Sequence, residues 1–190
     1  MMGTRITSVT SPAFDALFAG FKHTAYRLET LQAYDVSYEI GSYRAFLAGQ
    51  PMPRDSAKNA WVDMLSEAAR AGKVVQRVHL VNEPLTDYLR YEMEWSYAPN
   101  VDFGEDVRIL PSRRVPSMDI PRLAALKDYW LFDSSDLWVM EYDDEGRFLY
   151  IEQVSDSPTI VFRAYLRDAA LHYAIPYADY MRSRELLRAS

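Results

Sequence analysis

The chain has 190 residues, which is enough for one domain with a single hydrophobic core, and we expect one domain over residues 1–190. Its 21 Lys and Arg against 27 Asp and Glu give a formal charge of −6, which disfavours direct binding to nucleic acid. The absence of cysteine excludes disulfides and thiolate zinc sites, and with no apolar run of membrane-helix length it favours a soluble cytoplasmic protein.

The first third of the sequence predicts two helices and one segment that can be either a strand or an extended arm. Residues 1–10 are polar, lack a signal-peptide run and are expected to be a flexible lead-in. Ser11 and Pro12 are typical of a helix start, and aromatic residues follow at helical spacing. Residues 23–31 fit either a strand or an extended arm. Residues 37–48 predict a second helix.

A helix followed by a valine-rich strand is the clearest pattern in the sequence. Apolar residues recur at helical spacing from residue 59 until Gly72, which ends the helix. Residues 73–81 then form an almost continuous apolar run, as in a strand covered on both faces. A helix over 85–97 and a strand over 106–110 repeat this order. We therefore expect a parallel pair of strands joined by a crossover.

The second half predicts three further strands and two helices. The strands are 128–132, 137–142 and 147–154. The last two form a hairpin, because Asp143-Asp144-Glu145-Gly146 between them is turn chemistry. Helices are expected over 157–172 and from Pro176 to the C-terminus. The fold class is α/β, a mixed sheet of about four to six strands with helices on both faces.

Six short segments carry a resemblance to a known family. They are FDALF at 14–18, HTAYRLE at 23–29, EPLTDYLR at 83–90, YWLFD at 129–133, YDDEGRF at 142–148 and IPYADY at 175–180. Together they resemble an actinobacterial family of unknown function, and the likeness covers nearly the whole chain. Members are typically encoded near helix-turn-helix regulators and their small partner proteins. The resemblance implies a regulatory setting with such a regulator, or its small partner protein, as the partner, and it implies no reaction.

The order of elements also resembles one half of the phospholipase D-like fold. The active form of that fold needs His-x-Lys, then four intervening residues and then Asp, so that His attacks phosphorus and Lys neutralises the phosphate oxygens. With Asp133 as the acid, Leu126 and Asp128 occupy the other two positions; with Asp136, they are Tyr129 and Leu131. Neither register has the nucleophile, so the resemblance implies a catalytically inactive version.

His79 lies in the predicted strand 73–81 and is the one histidine with a functional interpretation. It could act as a base near the crevice where open α/β sheets bind ligands; the alternative is a half-buried residue satisfied by a neighbour. The three histidines lie far apart, and no Gly-rich phosphate loop or serine-hydrolase motif occurs. We therefore expect no metal and no cofactor.

The predicted helix 85–97 carries an aromatic stripe. Tyr88, Tyr91 and Trp95 lie on one face, and Arg90 and Glu94 are four residues apart. In a functional interpretation the rings are a platform for a flat ligand or a partner, and Arg90 holds an anion. In the structural alternative the rings pack on the sheet and Arg90 pairs with Glu94 at the surface.

Two groups of charged residues remain. Acidic residues in the turns at 133–136 and 143–145 can bind a divalent cation or hydrogen-bond their own backbone. Arg108, Arg113 and Arg114 form a compact basic patch that can bind phosphate or an acidic partner, or lie in a solvated loop.

The sequence thus favours a non-enzymatic regulatory or interaction protein that acts through a protein partner or a small ligand and can form a homodimer through exposed aromatics. The alternative is a phosphodiesterase- or nucleotide-directed enzyme that uses Asp133 with Arg90 or His79 in a crevice. We further expect buried valine-rich strands with no acid, base and cation gathered at their tips. The candidate binding residues are Tyr88, Arg90, Tyr91, Trp95, His79 and Asp133.

Overall fold

A single mixed sheet organises the protein, whose computed structural model describes residues 3–53, 56–115 and 126–189. In chain order its strands are β1 (Arg5–Ile6), β2 (Thr24–Glu29), β3 (Val74–Val81), β4 (Glu105–Pro111), β5 (Tyr129–Phe132), β6 (Asp136–Tyr142), β7 (Phe148–Val154) and β8 (Ile175–Pro176). The helices are α1 (Pro12–Gly20), α2 (Ile40–Leu47), α3 (Ser56–Arg70), α4 (Asp87–Tyr91), α5 (Ala98–Asp102), α6 (Ser157–Tyr173) and α7 (Tyr177–Ala189). A π-helical segment (Glu92–Tyr97) joins α4 to α5, and a 3-10 turn (Ser112–Arg114) follows β4.

The strand order is β1-β7-β6-β5-β2-β3-β4-β8. β2, β3 and β4 are parallel neighbours, and the remaining pairs are antiparallel. The α/β class, the mixed sheet and the parallel β3 and β4 pair are confirmed. The sheet has eight strands, more than the four to six expected. The two additional strands, β1 and β8, have two residues each, which is too short for a side-chain period to show.

β2 resolves the open interpretation of residues 23–31. It is a strand near the middle of the sheet, with β3 on one side and β5 on the other. Its side chains alternate between the two faces, so Tyr26 and Leu28 point to one face and Arg27 and Glu29 to the other. The two faces of the sheet are therefore chemically different.

The face that carries Tyr26 and Leu28 is apolar where helix α6 covers it. The buried Leu166 and Ala170 of α6 pack against residues of β2, β3, β5 and β6. Tyr129 of β5 donates its hydroxyl to the carbonyl of Arg163 on α6 at 3.0 Å.

Toward β4 the same face carries polar side chains. Gln76 of β3 donates to Asp106 of β4 at 3.1 Å, and Arg108 pairs with Asp106.

The opposite face has two apolar clusters with polar side chains between them. At one end α1 and α3 pack over Ala25, Val75 and Trp130. At the other end the helical stretch 87–102 packs over Val107 and Ile109. Arg27, Glu29 and Arg77 lie on the strands between these two clusters.

The hairpin of β6 and β7 is confirmed around its predicted turn. Asp143 accepts hydrogen bonds from the backbone N–H groups of Glu145 and Arg147, at 3.1 and 2.8 Å. Gly146 has φ +83°, and a Cβ at this position would lie 2.9 Å from the carbonyl oxygen of Ala33. The turn therefore needs glycine both for its backbone angle and for a close approach.

The ends of the chain also differ from the expectations. Within the expected lead-in 1–10, β1 pairs with β7 and the side chain of Ile6 is buried. The two C-terminal helices are present and are separated by β8. Residues 116–125, between the 3-10 turn and β5, lie outside the described residues. Among the helices that are described, none is long and apolar enough to cross a membrane.

Candidate functional site

Buried charged side chains from three adjacent strands meet on the divided face of the sheet. Arg77 of β3 donates from Nη1 to Oε1 of Glu29 on β2 at 2.7 Å, and from Nε to Oε1 of Glu105 on β4 at 2.8 Å. Asn100 of α5 donates to the other oxygen of Glu105 at 2.7 Å. Arg77 is therefore held between two carboxylates that are both shielded from solvent.

Arg27 extends this cluster toward β5 and β6. Its Nε lies 2.8 Å from Oε1 of Glu29, an ion pair without the geometry of a hydrogen bond. Its Nη2 donates to the hydroxyl of Tyr142 at 3.2 Å and lies 3.9 Å from Oδ2 of Asp128. The guanidinium also lies over the ring of Trp130, 5.5 Å from its centroid.

Asp128 lies just before β5 and is almost completely buried. It accepts hydrogen bonds from the hydroxyl of Tyr34 at 2.5 Å and from the backbone N–H and hydroxyl of Thr30, each at 2.8 Å. Burial raises the pKa of Asp128, and the nearby Arg27 opposes this effect. The carboxyl is held firmly, with donors on both oxygens.

His79 adds a base to the same cluster. It lies opposite Glu29 in the register of β2 and β3. Its Nε2 donates to the carbonyl of Leu31 at 2.8 Å, because a carbonyl can only accept, and its Nδ1 lies 2.6 Å from the hydroxyl of Tyr97. Burial lowers the pKa of His79, which favours the neutral ring. The single hydroxyl proton of Tyr97 is then shared between His79 and Oε2 of Glu29, 2.8 Å away.

The π-helical segment brings Glu92 and Tyr97 side by side. Residues five apart lie about 140° apart around a regular α-helix. The wider π turn reduces this separation, and Oε2 of Glu92 lies 3.3 Å from the hydroxyl of Tyr97. Pro99 follows directly, and its ring would clash with the carbonyl of Trp95 in a regular helix. The sequence therefore has a physical reason to widen the helix here.

Two acids of this cluster have opposite electrostatic surroundings. Burial opposes ionisation of Glu29, but Arg27 and Arg77 outweigh it and hold the pKa of Glu29 far below its usual range. Burial raises the pKa of Glu92 well above its usual range, and the carboxylates of Glu29 and Glu39 raise it further. Glu29 is therefore a fixed anion, whereas Glu92 keeps its proton to a higher pH than an ordinary glutamate.

A cleft of about 1220 Å³ opens over this cluster. Arg27, Glu29, Arg77, Glu92 and Tyr97 contribute to its floor. Aromatic side chains from both apolar clusters and from the segment before α2 form its walls, among them Tyr34, Tyr38, Trp61, Tyr88, Trp130 and Tyr142. The floor can donate and accept hydrogen bonds, and the walls can hold apolar or flat groups.

This arrangement corrects one expectation from the sequence. We expected no acid, base and cation to gather at the tips of the buried strands. The structure brings together Glu29, Arg77 and His79, and Glu29 and His79 are at the carboxyl ends of β2 and β3. The expectation was wrong because it followed the valines of residues 74–81 and did not consider the charged side chains between them.

The predicted aromatic stripe is buried and packs on other aromatics. Tyr88 and Tyr91 are buried, line the cleft and contact Tyr43 of the α2 helix. Trp95 is half-buried and packs edge-to-face on Phe46. The hydroxyl of Tyr88 donates to Glu39 at 3.0 Å. Two of the three predicted aromatic residues thus lie at the cleft, although neither forms an exposed platform.

The other predicted site residues do not converge with His79. Arg90 pairs with Asp87 at 2.6 Å, not with Glu94, and both side chains of this pair are exposed. Asp133 accepts from the backbone N–H groups of Lys22, His23 and Thr24, at 2.8, 2.7 and 2.9 Å. It therefore lies at the start of β2, roughly 17 Å from the end where His79 lies. An enzyme site built from Asp133 with Arg90 or His79 has no geometric basis.

The remaining charged groups take structural or surface positions. Asp136 accepts from Trp138 and Gln153, and Asp143 serves its own hairpin turn. Arg108 pairs with Asp106, and Arg113 pairs with Glu83. Among the described residues, no group of three or more His, Asp or Glu side chains is arranged to hold a metal ion.

Most of the cluster was missed from sequence, although signals for it exist. Charged residues inside a central strand are rare unless paired, and Arg27, Glu29 and Arg77 all lie in strands. Pro99 within a helical pattern marks the widened turn that carries Glu92. These two signals identify the floor of the cleft but not which residues pair.

Most of the chain matches one known protein family. Residues 12–182 match the model of a family described as a domain of unknown function, DUF6879. The chain belongs to this family. Membership in DUF6879 confirms the resemblance to a family of unknown function and brings no reaction with it, and the actinobacterial setting stays a prediction. No curated protein matches the chain.

Proposed function

We propose that this DUF6879 protein is a regulatory protein that binds a small organic molecule in the cleft. The observation that carries the proposal is the position of the buried charged cluster. It lies at the floor of an open cleft between two apolar clusters. A buried ion pair that served only the fold would ordinarily be covered by a helix.

The size and lining of the cleft support a small ligand. Ligand pockets commonly have volumes of about 300–1,000 Å³, apolar walls and a few convergent polar groups. This cleft is of about 1220 Å³, has aromatic walls and has Arg27, Glu29 and Glu92 at its floor. The volume is large enough for a molecule of several rings, and the walls favour a flat one.

Binding is a better description than catalysis because the side chains of the cluster use their hydrogen bonds and ion pairs on one another. His79 is 0% exposed and uses both ring nitrogens on Tyr97 and Leu31, so it cannot reach the proton of a substrate. Arg77 is held by Glu29 and Glu105. These contacts stabilise a fixed floor and leave Glu92 and Arg27 at its edge.

The test is to fill the cleft. Ser96 is half-buried in its lining, so Ser96→Trp places an indole in the ligand space, whereas Ser155→Trp adds the same group to an exposed position elsewhere. We expect fragments from a library of aromatic cations, anions and neutral molecules to stabilise the wild type and Ser155→Trp against heat, and not Ser96→Trp. If Ser96→Trp responds like the wild type, the cleft is not the binding site.

The regulatory role and the partner are proposed from the resemblance to the family of unknown function. The predicted partner is a helix-turn-helix regulator, its small partner protein or a second copy of the chain, in the cytoplasm of an actinobacterium. Tyr88 and Tyr91 are buried and cannot contact such a partner directly, whereas Arg90 is exposed. Arg90→Ala in a pull-down against the neighbouring regulator tests that face. The likeness to one half of a phospholipase D-like fold also stays a prediction.

A phosphate- or nucleotide-directed enzyme is the second candidate. Glu92 favours it, because a cleft-lining carboxyl with a raised pKa is suited to a general acid. The carboxylate of Glu29 opposes it, since it would repel a phosphate at the same floor. Turnover of bis(p-nitrophenyl) phosphate that is lost in Glu92→Gln would favour the enzyme over the binding protein.

A further inference from the structure

Among the described residues, carboxyl groups outnumber arginines in the buried cluster at the floor of the cleft, where Glu105 and Asp128 are buried and do not line the cleft themselves. Arg77 contacts Glu29 and Glu105, and Arg27 contacts Glu29 and lies near Asp128. Two arginines thus already face three carboxyl groups before Glu92 is considered. An additional negative charge on a ligand would meet repulsion here, and a positive charge would meet attraction.

Glu92 is the carboxyl group that is positioned to receive that charge. It is 6% exposed and lines the cleft. In the part of the chain that the structure describes, its one close contact with a basic side chain is Nδ1 of His79 at 3.5 Å, on a ring whose neutral form is favoured, and the hydroxyl of Tyr97 lies 3.3 Å away. A buried carboxylate without a close cation is costly, and a bound cation would remove that cost.

Aromatic rings surround the same space. Tyr34, Tyr88 and Tyr142 line the cleft, and Tyr34 contacts both of the other rings at centroid distances of 5.9 and 5.3 Å. Faces of aromatic rings attract ammonium groups, and several rings around one carboxylate are a recurrent way to recognise organic cations. Charge and ring geometry therefore point to the same class of ligand.

We propose that the cleft binds an organic cation, an amine whose ammonium group lies against the carboxylate of Glu92 and whose apolar part lies against the aromatic walls. This inference rests on the proposed function, because it assigns the ligand class of the same cleft. It predicts that amines bind better than matched neutral molecules, and that matched acids bind worst.

Three indoles of similar size differ in charge: tryptamine is the amine, indole-3-acetamide the neutral molecule and indole-3-acetate the acid. Binding of each to the full chain is measured by isothermal titration calorimetry. We expect tryptamine to bind tightest and Glu92→Gln to weaken it about tenfold, as for a charge-assisted contact, without changing the affinity for indole-3-acetamide. Glu94→Gln changes an exposed acid two residues away and is expected to leave all three affinities unchanged.

The pH dependence gives a second readout. Only the ionised carboxylate attracts the ammonium, so tryptamine affinity should rise as the pH increases through the raised pKa of Glu92, and Glu92→Gln should lose this rise. Charged and titratable groups that face Glu92 also contribute to its field. They are Glu29 and Arg27 of β2, Arg77 and His79 of β3, Tyr97, Tyr88 of α4, and Glu39.

The outcomes separate this inference from the proposed function. The inference is overturned if indole-3-acetate or indole-3-acetamide binds as tightly as tryptamine, if Glu92→Gln leaves tryptamine binding unchanged, or if tryptamine fails to bind at millimolar concentration. If other indoles bind and Ser96→Trp abolishes that binding, the cleft is still a ligand site with a different preference. Gln resembles the protonated form of Glu92 in shape, so this variant is expected to fold.

Discussion

Arg77 illustrates how a single side chain holds the floor of the cleft. It is nearly buried and ion-pairs with Glu29 and Glu105 at 2.7 and 2.8 Å. Such pairs add little net stability when they are compared with apolar replacements of the whole cluster, but removing one partner leaves buried charges uncompensated. The cluster therefore fixes the positions of its side chains more than it stabilises the folded protein.

Arg77→Met should destabilise the protein by about 3–5 kcal/mol, because two buried carboxylates lose their shared cation. The matched control is Arg90→Met, which removes an exposed pair with Asp87 and should cost less than about 1 kcal/mol. Urea denaturation of both variants measures the difference. Equal losses would mean that the cluster is solvated and not buried.

Glu92→Gln should stabilise the free protein at neutral pH by an amount on the order of 1 kcal/mol. The raised pKa means that the folded state keeps a proton that the unfolded state releases above about 4.5, so wild-type stability falls as the pH rises from there through the folded pKa. The variant has no carboxyl group to ionise.

Urea denaturation at pH 5 and pH 8 checks this prediction, and the gain should be larger at the higher pH. Glu94→Gln is the control, because the side chain of Glu94 is exposed. A gain that is the same at both values, or a loss at pH 8, would contradict a raised pKa at Glu92.

At the scale of elements, the junction of β5 with β2 depends on Asp133. Burial opposes its ionisation, but three backbone N–H groups, those of Thr24, Lys22 and His23, outweigh this and lower its pKa. The resulting stability is present above pH 3.8 and is lost as the pH falls through the folded pKa.

Asp133→Asn should cost about 1 kcal/mol near pH 7 because an amide is a weaker acceptor for these N–H groups. The difference from the wild type should narrow in acid, where Asp133 is protonated. Asp144→Asn changes an exposed acid of the next turn and should cause no loss of stability at pH 7 or in acid. Denaturation curves that show the same loss for Asp133→Asn at pH 7 and in acid would refute the charge effect.

The hairpin turn offers a second test at this scale. Gly146→Ala should destabilise the protein by about 1 kcal/mol or more, because φ is +83° and the new Cβ would meet the carbonyl of Ala33. Gly20→Ala at the end of α1 has neither constraint and should be nearly neutral. Thermal unfolding of the two variants provides the comparison, and similar midpoints would contradict the close approach.

The elements also show where sequence patterns are reliable. Helix α3 was predicted from the helical spacing of its apolar residues and strand β3 from its nearly continuous apolar run. The β6 and β7 hairpin was predicted from the turn residues between its strands. β2 was left open because residues 23–31 alternate poorly as a whole, although Tyr26 and Leu28 do alternate with Arg27 and Glu29. Arg27 and Glu29 belong to the cluster at the cleft.

At the scale of the whole molecule, the two faces of the sheet differ in polarity. One face has an apolar layer under α6, and patterns of apolar residues predict such a layer. The other face is divided, and its central cluster joins residues from β2, β3, β4 and the helical stretch 87–102. Partners such as Glu29 and Tyr97 are 68 residues apart along the chain. No local period encodes such a contact, so the sequence indicated the fold class and not the site.

The proposed ligand site depends on Glu92 being a buried carboxyl group that faces an open cleft. Side-chain carbon NMR of the wild type, with Glu92→Gln to assign the signal, measures its titration directly. We predict a midpoint above the ordinary value of 4.5 in the free protein, and a lower midpoint when tryptamine is added. A midpoint at or below 4.5 that tryptamine does not move would contradict both the buried position of Glu92 and its role in the cleft.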